Sequence, residues 1–196
     1  MKIIGVTGPS GAGKSTLTGI WARLGAVILD ADEIYRETLN ADAGIRDEIS
    51  ARFPGVFVED GLDRRRLASI VFNDGKALDD LNAITHKYVL KETHRRVALE
   101  RGRGTAVCVI EAIYLLEAGV DRICDSTVAV VCPAGQRVKR LIGRDGLDEG
   151  QVLARVNNQK SDAYYAERCD VSIENTGDQD SFSQSARALY TRLTGA

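Results

Sequence analysis

The chain has 196 residues, 44% of them hydrophobic, with 26 basic and 28 acidic side chains and a net charge of −2. That length suits one domain with room for an insertion, and the apolar fraction builds a full core without disulfide staples. The balanced charge argues against a general nucleic-acid or membrane-surface binder, which carries a basic excess.

KIIGVTG, Lys2 to Gly8, reads as a short first strand. GPSGAGKST follows it, and a helix is expected over Lys14 to Leu24 with Gly25 as its C-terminal stop. AVILD, Ala26 to Asp30, is a continuous apolar run of the kind that suits a parallel strand covered on both faces. It ends in Asp30 and Asp32. If the strand persists to Asp32, these two carboxylates share one face, which is costly unless something positive lies between them.

About seventy residues without a convincing strand come next. Helices are expected at Glu33 to Leu39, Gly44 to Arg52, Arg64 to Asn73 after Asp63 as N-cap, and Lys76 to Arg101 with a break. Three further apolar runs, Ala106 to Ala112, Thr127 to Cys132 and Val171 to Asn175, bring the strands to five. Between the last two, Pro133 to Arg168 reads as two helices joined by RDGLDEG. Asp148 and Gln151 form a capping box for the second. The pattern is α/β: a doubly wound, parallel, five-stranded sheet of the P-loop NTPase type, with a helical insertion and a helical lid.

Gly8 to Ser15 matches GxxxxGK[ST] at every fixed position. The glycines let the backbone approach phosphate oxygens, and successive N–H groups form an anion nest at a helix N-terminus. Gly11, Ala12, Gly13, Lys14, Ser15 and Thr16 are therefore the candidate nucleotide-binding residues. Lys14 reaches the β- and γ-phosphates, and the Ser15 hydroxyl ligates Mg²⁺. The competing account is a chance glycine-rich turn, but the strand before and the helix after supply the expected context.

In open α/β sheets, ligands bind beyond the carboxyl ends of the strands. Asp32 there is a candidate general base for an acceptor hydroxyl, with Asp30 as its rival or as a water-mediated Mg²⁺ holder. Plainer roles stand beside these: Asp32 as N-cap of EIYRETL and Asp30 as a strand-end turn residue. Glu111 closes the strand VCVIE, where a Walker-B carboxylate orients the Mg²⁺ shell; its alternative is purely structural. In QRVKRLIGRDG, Arg137, Arg140 and Arg144 fall on one helix face. They form either a solvated surface or a flap that neutralises transferring phosphate, for which Arg140 and Arg144 are the choices. Arg155 and Gln159 are secondary candidates.

Together these strings resemble the dephospho-CoA kinase family over nearly the whole chain. The phosphate loop is common to many families. More telling are DAD at 30–32 with Ile34 and Arg36, DGLDRRRLASIVFND (Asp60 to Asp74), LNAITH (Leu81 to His86), RDGLDEGQVLARVNNQ (Arg144 to Gln159) and DVSIEN (Asp170 to Asn175). The resemblance implies an ATP-dependent kinase, with Mg²⁺, that phosphorylates the ribose 3′-hydroxyl of dephospho-CoA in the last step of coenzyme A synthesis. It implies a core (1–32, 105–132, 169–196), a substrate-binding insertion (33–104) and a lid (133–168). Carried over by position, Asp32 is the base, Arg140 lies in the lid, and His86 and Leu115 lie at the acceptor site. Two departures stand near that site. Lys87 follows His86 where the family usually has proline, and EAIYLLE, Glu111 to Glu117, replaces the usual acid and proline-leucine-leucine-phenylalanine-glutamate run.

A kinase of another nucleotide or small hydroxyl acceptor is the nearest rival. A GTP-dependent switch needs an Asn-Lys-x-Asp clamp, which Asn158 to Asp162 misses by an intervening glutamine. A noncatalytic nucleotide-binding module leaves Lys14, Ser15 and Asp32 unexplained. The four cysteines show no CxxC pair, and His86 and His94 give no zinc spacing, so idle thiols in a reducing compartment are expected. No apolar run of about 18 residues and no leader-type segment is seen. The expected partners are small molecules, not nucleic acid or membrane, in a cytoplasmic setting.

Overall fold

The structure is a computed structural model that describes residues 1–59, 61–146 and 148–195. Asp60 and Leu147, members of two of the strings above, lie outside the described residues. By its internal contacts the chain divides into two compact units, Met1–Asp30 with Val97–Ala196, and Ala31–Arg96.

The first unit is built on five strands: β1 (Lys2–Thr7), β2 (Val27–Asp30), β5 (Val107–Glu111), β6 (Ser126–Val131) and β7 (Val171–Glu174). All their pairings are parallel, in the order β2-β5-β1-β6-β7. β5 is buried at every position, as a strand covered on both faces requires. β1 is central: the chain passes from it to β2 on one side and later crosses from β5 to β6 on the other, so the carboxyl end of β1 is the topological switch point where such sheets bind ligands. Helices α1 (Lys14–Arg23) and α9 (Gln179–Thr194) pack against each other in this unit. Their core holds Leu17, Ile20 and Trp21 with Phe182, Ala186 and Leu189. The buried Trp21 indole donates to the Ala186 carbonyl at 2.8 Å, so its one polar atom is satisfied. A 3₁₀ turn (Val120–Ile123) leads into β6.

Between β6 and β7 stand three helices, α6 (Ala134–Asp145), α7 (Glu149–Asn157) and α8 (Asp162–Arg168), where two were expected. The third arises because Ser161 caps a fresh start, its hydroxyl accepting from the Tyr164 N–H. Asp148 caps α7 through the Gln151 N–H at 2.9 Å, the N-cap bond of the anticipated box.

The second unit contains α2 (Ala31–Ala41), α3 (Ala43–Arg52), a two-stranded hairpin of β3 (Phe57–Val58) and β4 (Gly61–Leu62), α4 (Arg64–Val71) and most of α5 (Gly75–Gly102). Its own core joins Leu39, Ile45, Ile49, Phe53, Val56, Leu67 and Val71. Asp63 caps α4 by accepting from the Arg66 N–H.

Four expectations are corrected here. The second strand ends at Asp30, and α2 begins at Ala31, so Asp30 and Asp32 do not share a strand face. Asp32 stands inside the first helical turn, not at its N-cap. The hairpin at 57–62 occupies a stretch read as strandless; two-residue strands are too short for an alternating pattern to register. Finally, α5 runs 28 residues without the expected break. Lys87, standing where a proline would interrupt the ladder, keeps its backbone N–H.

Candidate active site

The loop after β1 is shaped by glycine. Gly13 is the N-cap of α1 with φ +106°, and a Cβ there would lie 2.0 Å from the Asn175 Nδ2. No side chain caps α1, and no acid occupies its first turn. By contrast, Asp42, Asp63, Asp148, Ser161 and Asp178 cap α3, α4, α7, α8 and α9. The first N–H groups of α1 and the positive end of its dipole are thus left to an anion.

Lys14 is buried, and its ammonium donates to the carbonyls of Gly8 at 2.9 Å and Pro9 at 3.3 Å. Its charge is thereby held within the loop by carbonyl dipoles. Ser15 donates to Glu111 Oε1 at 2.9 Å, and Thr18 donates to the other oxygen, Oε2, at 2.6 Å. Glu111 is buried at the end of β5, opposite Val6 of β1 and Asp30 of β2 in the sheet register. One carboxylate therefore sits where the strand ends and the phosphate-loop helix meet. Two oxygen donors, a hydroxyl and a carboxylate, suit Mg²⁺, which takes most of its remaining ligands from phosphate and water. No cluster of three or more acids, histidines and cysteines able to hold a metal occurs among the described residues.

The arginine helix comes to the loop. Arg140 donates to the carbonyls of Gly11 at 3.3 Å and Ala12 at 3.4 Å, and to the Asn175 carbonyl at 2.9 Å. Asn175, buried just past β7, donates through Nδ2 to the Ala12 carbonyl at 2.8 Å. These donors engage the loop's carbonyls; of its N–H groups, that of Ser10 donates to Gln159 and that of Ala12 to the Pro9 carbonyl at 3.2 Å. Arg144 lies exposed in the last turn of the same helix. Arg137 is buried, and its Nε donates to the Cys132 carbonyl at 3.0 Å, so this arginine anchors α6 to the sheet.

The structure thus gathers Gly11 to Thr16, Glu111 and Arg140 around one loop. Leu115 is fully buried, its methyl carbons packed over Gly5 of β1. Asp32 and His86 belong to the other unit: Asp32 is exposed at the start of α2 and His86 half-buried in α5. Sequence reasoning assigned no role to Thr18 or Asn175. Thr18 stands one helical turn beyond Ser15, a spacing that puts both hydroxyls on one face. Asn175 closes an apolar strand at the ligand-binding edge, as Glu111 does. Those positions were the available signals.

Comparison with known proteins turns on residues 2–181, which match the profile of the family described as dephospho-CoA kinase. The chain belongs to the dephospho-CoA kinase family. It is 40% identical to the dephospho-CoA kinase of Moorella thermoacetica, over 98% of this chain and 92% of that one. It is 35% identical to that of Corynebacterium diphtheriae, over 98% of each. Among solved structures, TT1252 from Thermus thermophilus superposes with a TM-score of 0.78 at 32% identity, covering 99% of this chain and 98% of the other. A family member with this loop is an ATP-dependent kinase, and its sheet is that of the P-loop kinases. No described helix is long and apolar enough to cross a membrane.

Proposed function

We propose that the chain transfers the γ-phosphoryl group of ATP to the ribose 3′-hydroxyl of dephospho-CoA, giving coenzyme A and ADP. The observation that carries this reading is the uncapped, acid-free start of α1 behind Gly13, in a chain that matches the family over residues 2–181. The N–H groups of Gly11 to Thr16 hold the β- and γ-phosphates. Lys14 exchanges the Gly8 and Pro9 carbonyls for phosphate oxygens, and Arg140 and Arg144 neutralise charge that spreads over the transferring group. Ser15 and Glu111 would hold Mg²⁺, which would supply neutralisation of the phosphate charge. Asp32 accepts the proton of the acceptor hydroxyl as its oxygen attacks phosphorus. The acceptor lies with the insertion, 33–104, where His86 contacts it. Residues 133–168 serve as the lid, and Leu115, closed off in the core against Gly5, contacts no acceptor. The protein works in the cytoplasm on small molecules, without nucleic acid or membrane.

The test is ADP release from purified protein with dephospho-CoA, run beside nucleoside monophosphates and simple alcohols. Turnover is expected with dephospho-CoA. Turnover with another acceptor and none with dephospho-CoA refutes the assignment. Asp32→Asn is expected to lower kcat by roughly 10²–10⁴-fold with an unchanged melting temperature, the range for losing a general base. Full activity in that variant removes Asp32 from the chemistry.

A further inference from the structure

Ser10, the third residue of the phosphate loop, is only 3% exposed. Both of its polar groups meet one side chain from 149 residues further along. The Ser10 N–H donates to Gln159 Oε1 at 2.9 Å, and Gln159 Nε2 donates to the Ser10 Oγ at 2.7 Å. The two bonds close a ring between loop and amide. Its orientation is fixed, because a backbone N–H can only donate.

Gln159 follows directly on Asn158, the C-cap of α7, and its own N–H donates to the Val156 carbonyl at 3.3 Å. α6 and α7 share a small core of Val138, Leu141, Val152 and Val156, so the amide is carried by a packed hairpin. The other helix of that hairpin lies against the same loop. A Cβ on Gly11, whose φ is +79°, would come 3.0 Å from the Arg137 carbonyl oxygen and 3.2 Å from its Cα. The loop and the hairpin are therefore in contact at Ser10, Gly11 and Ala12, with hydrogen bonds at each.

We infer that Gln159 is a positioning residue for nucleotide binding: it fixes the head of the phosphate loop and couples ATP affinity to the placement of the α6–α7 hairpin. With its N–H committed to Gln159, Ser10 is withdrawn from the anion nest, which then begins at Gly11. Loss of the amide leaves a buried N–H and hydroxyl without partners, and the loop relaxes to satisfy them at the expense of the geometry phosphate requires. Gln159 touches neither ATP nor acceptor; it acts through Ser10. The inference rests on the reading that this loop binds ATP and is independent of which acceptor is used.

The experiment measures ATP affinity directly by calorimetry without acceptor, together with the KM for ATP, the KM for acceptor and the melting temperature. Gln159→Ala is expected to weaken ATP binding and raise the KM for ATP by about tenfold, the size of one buried donor left unpaired. The KM for acceptor is expected to stay within about twofold, as for a site that shares no partner. Ser10→Ala keeps the N–H bond and removes only the hydroxyl one, so a smaller loss is expected. Combined with Gln159→Ala, it is expected to add less than the sum of the two, because the partners act on one another. Unchanged ATP affinity in Gln159→Ala overturns the inference. So does a lowered melting temperature with ATP affinity intact, or strict additivity in the double variant. Should Gln159→Ala not fold, Ser10→Ala and Gln159→Asn, whose amide falls one methylene short, carry the same test. Since ATP binding is read without acceptor, failure of the acceptor assignment leaves this test standing.

Discussion

The sheet unit and the helical unit are held together in different ways. In the sheet unit, polar side chains near the loop are buried and bonded to backbone: Asn175 to Ala12, Arg137 to Cys132, Lys14 to Gly8. In the helical unit a small apolar core stands inside a shell of exposed or half-exposed ion pairs, Arg52–Asp80, Lys87–Glu48 and Arg95–Glu92. The Arg96–Glu37 pair also belongs to that shell. Buried donors fix one geometry because leaving them unpaired costs far more than an exposed pair returns. The unit that must present N–H groups to phosphate is therefore the more rigidly specified one. The helical unit depends on its few core residues.

The largest effect expected from this contrast lies in that small core. Phe53 is 1% exposed, and Phe53→Ala is expected to cost about 3–5 kcal/mol in urea unfolding. ATP affinity of the folded variant is expected within about twofold of the parent, because Gln159, Glu111, Arg140 and Asn175, which bond to the loop and the start of α1, belong to the sheet unit. A parallel collapse of ATP binding would break the distinction between the units.

Gly13→Ala tests the opposite side. The φ of +106° alone carries strain of order 1–3 kcal/mol for a residue with a Cβ. The new carbon also displaces Asn175 Nδ2 from the Ala12 carbonyl. ATP affinity is expected to fall at least about tenfold, one decade per 1.4 kcal/mol. Calorimetry checks it, and retention of affinity would show that the loop tolerates a shifted Asn175.

Next in size is a pH effect. The Arg95 guanidinium, with Arg96 beside it, holds the Glu92 carboxyl down from 4.5 to about 2. A depressed carboxylate contributes stability that is full above its unfolded pKa and is lost as pH falls through the folded one. Glu92→Gln is therefore expected to melt below the parent at pH 6, with the gap closing between about pH 4.5 and 2. A gap that persists at pH 2 would mean that packing, not charge, is what Glu92 supplies.

Much of the sheet unit was legible because its signals are strong. Continuous apolar runs mark buried parallel strands, the glycine spacing marks the loop, and Asp148 marks a helix start that the structure keeps, as Asp63 does in the helical unit. What failed did so for local reasons. The AVILDAD run does not say where strand yields to helix, since Ala31 and Asp32 suit a first helical turn as well as an extended end. Ser161 begins a seven-residue helix too short to show a period. Thr18 and Asn175 became visible only once α1 and β7 were set beside Glu111 and Ala12, contacts that span 93 and 163 residues of sequence.

The smallest expected effect is that of Lys87→Ala, at a position that departs from the family's usual proline. The Lys87 ammonium donates to both oxygens of Glu48, at 2.7 and 2.8 Å, and the Tyr88 hydroxyl donates to one of them at 2.7 Å. Hydrogen bonding to Glu48 in turn pushes the Tyr88 phenol up to about 12. The Lys87 side chain is 59% exposed, so Lys87→Ala is expected to cost no more than about 1 kcal/mol, and less in high salt. Tyr88 remains to hold Glu48. Lys87→Pro asks a different question of the same position. Inside the unbroken α5 it removes a ladder hydrogen bond and crowds the preceding turn, for about 3 kcal/mol or more. If both variants cost equally little, α5 must bend at this point without penalty. If only the proline is costly, the departure from the family belongs to the continuity of the helix, and the ion pair is an addition to it.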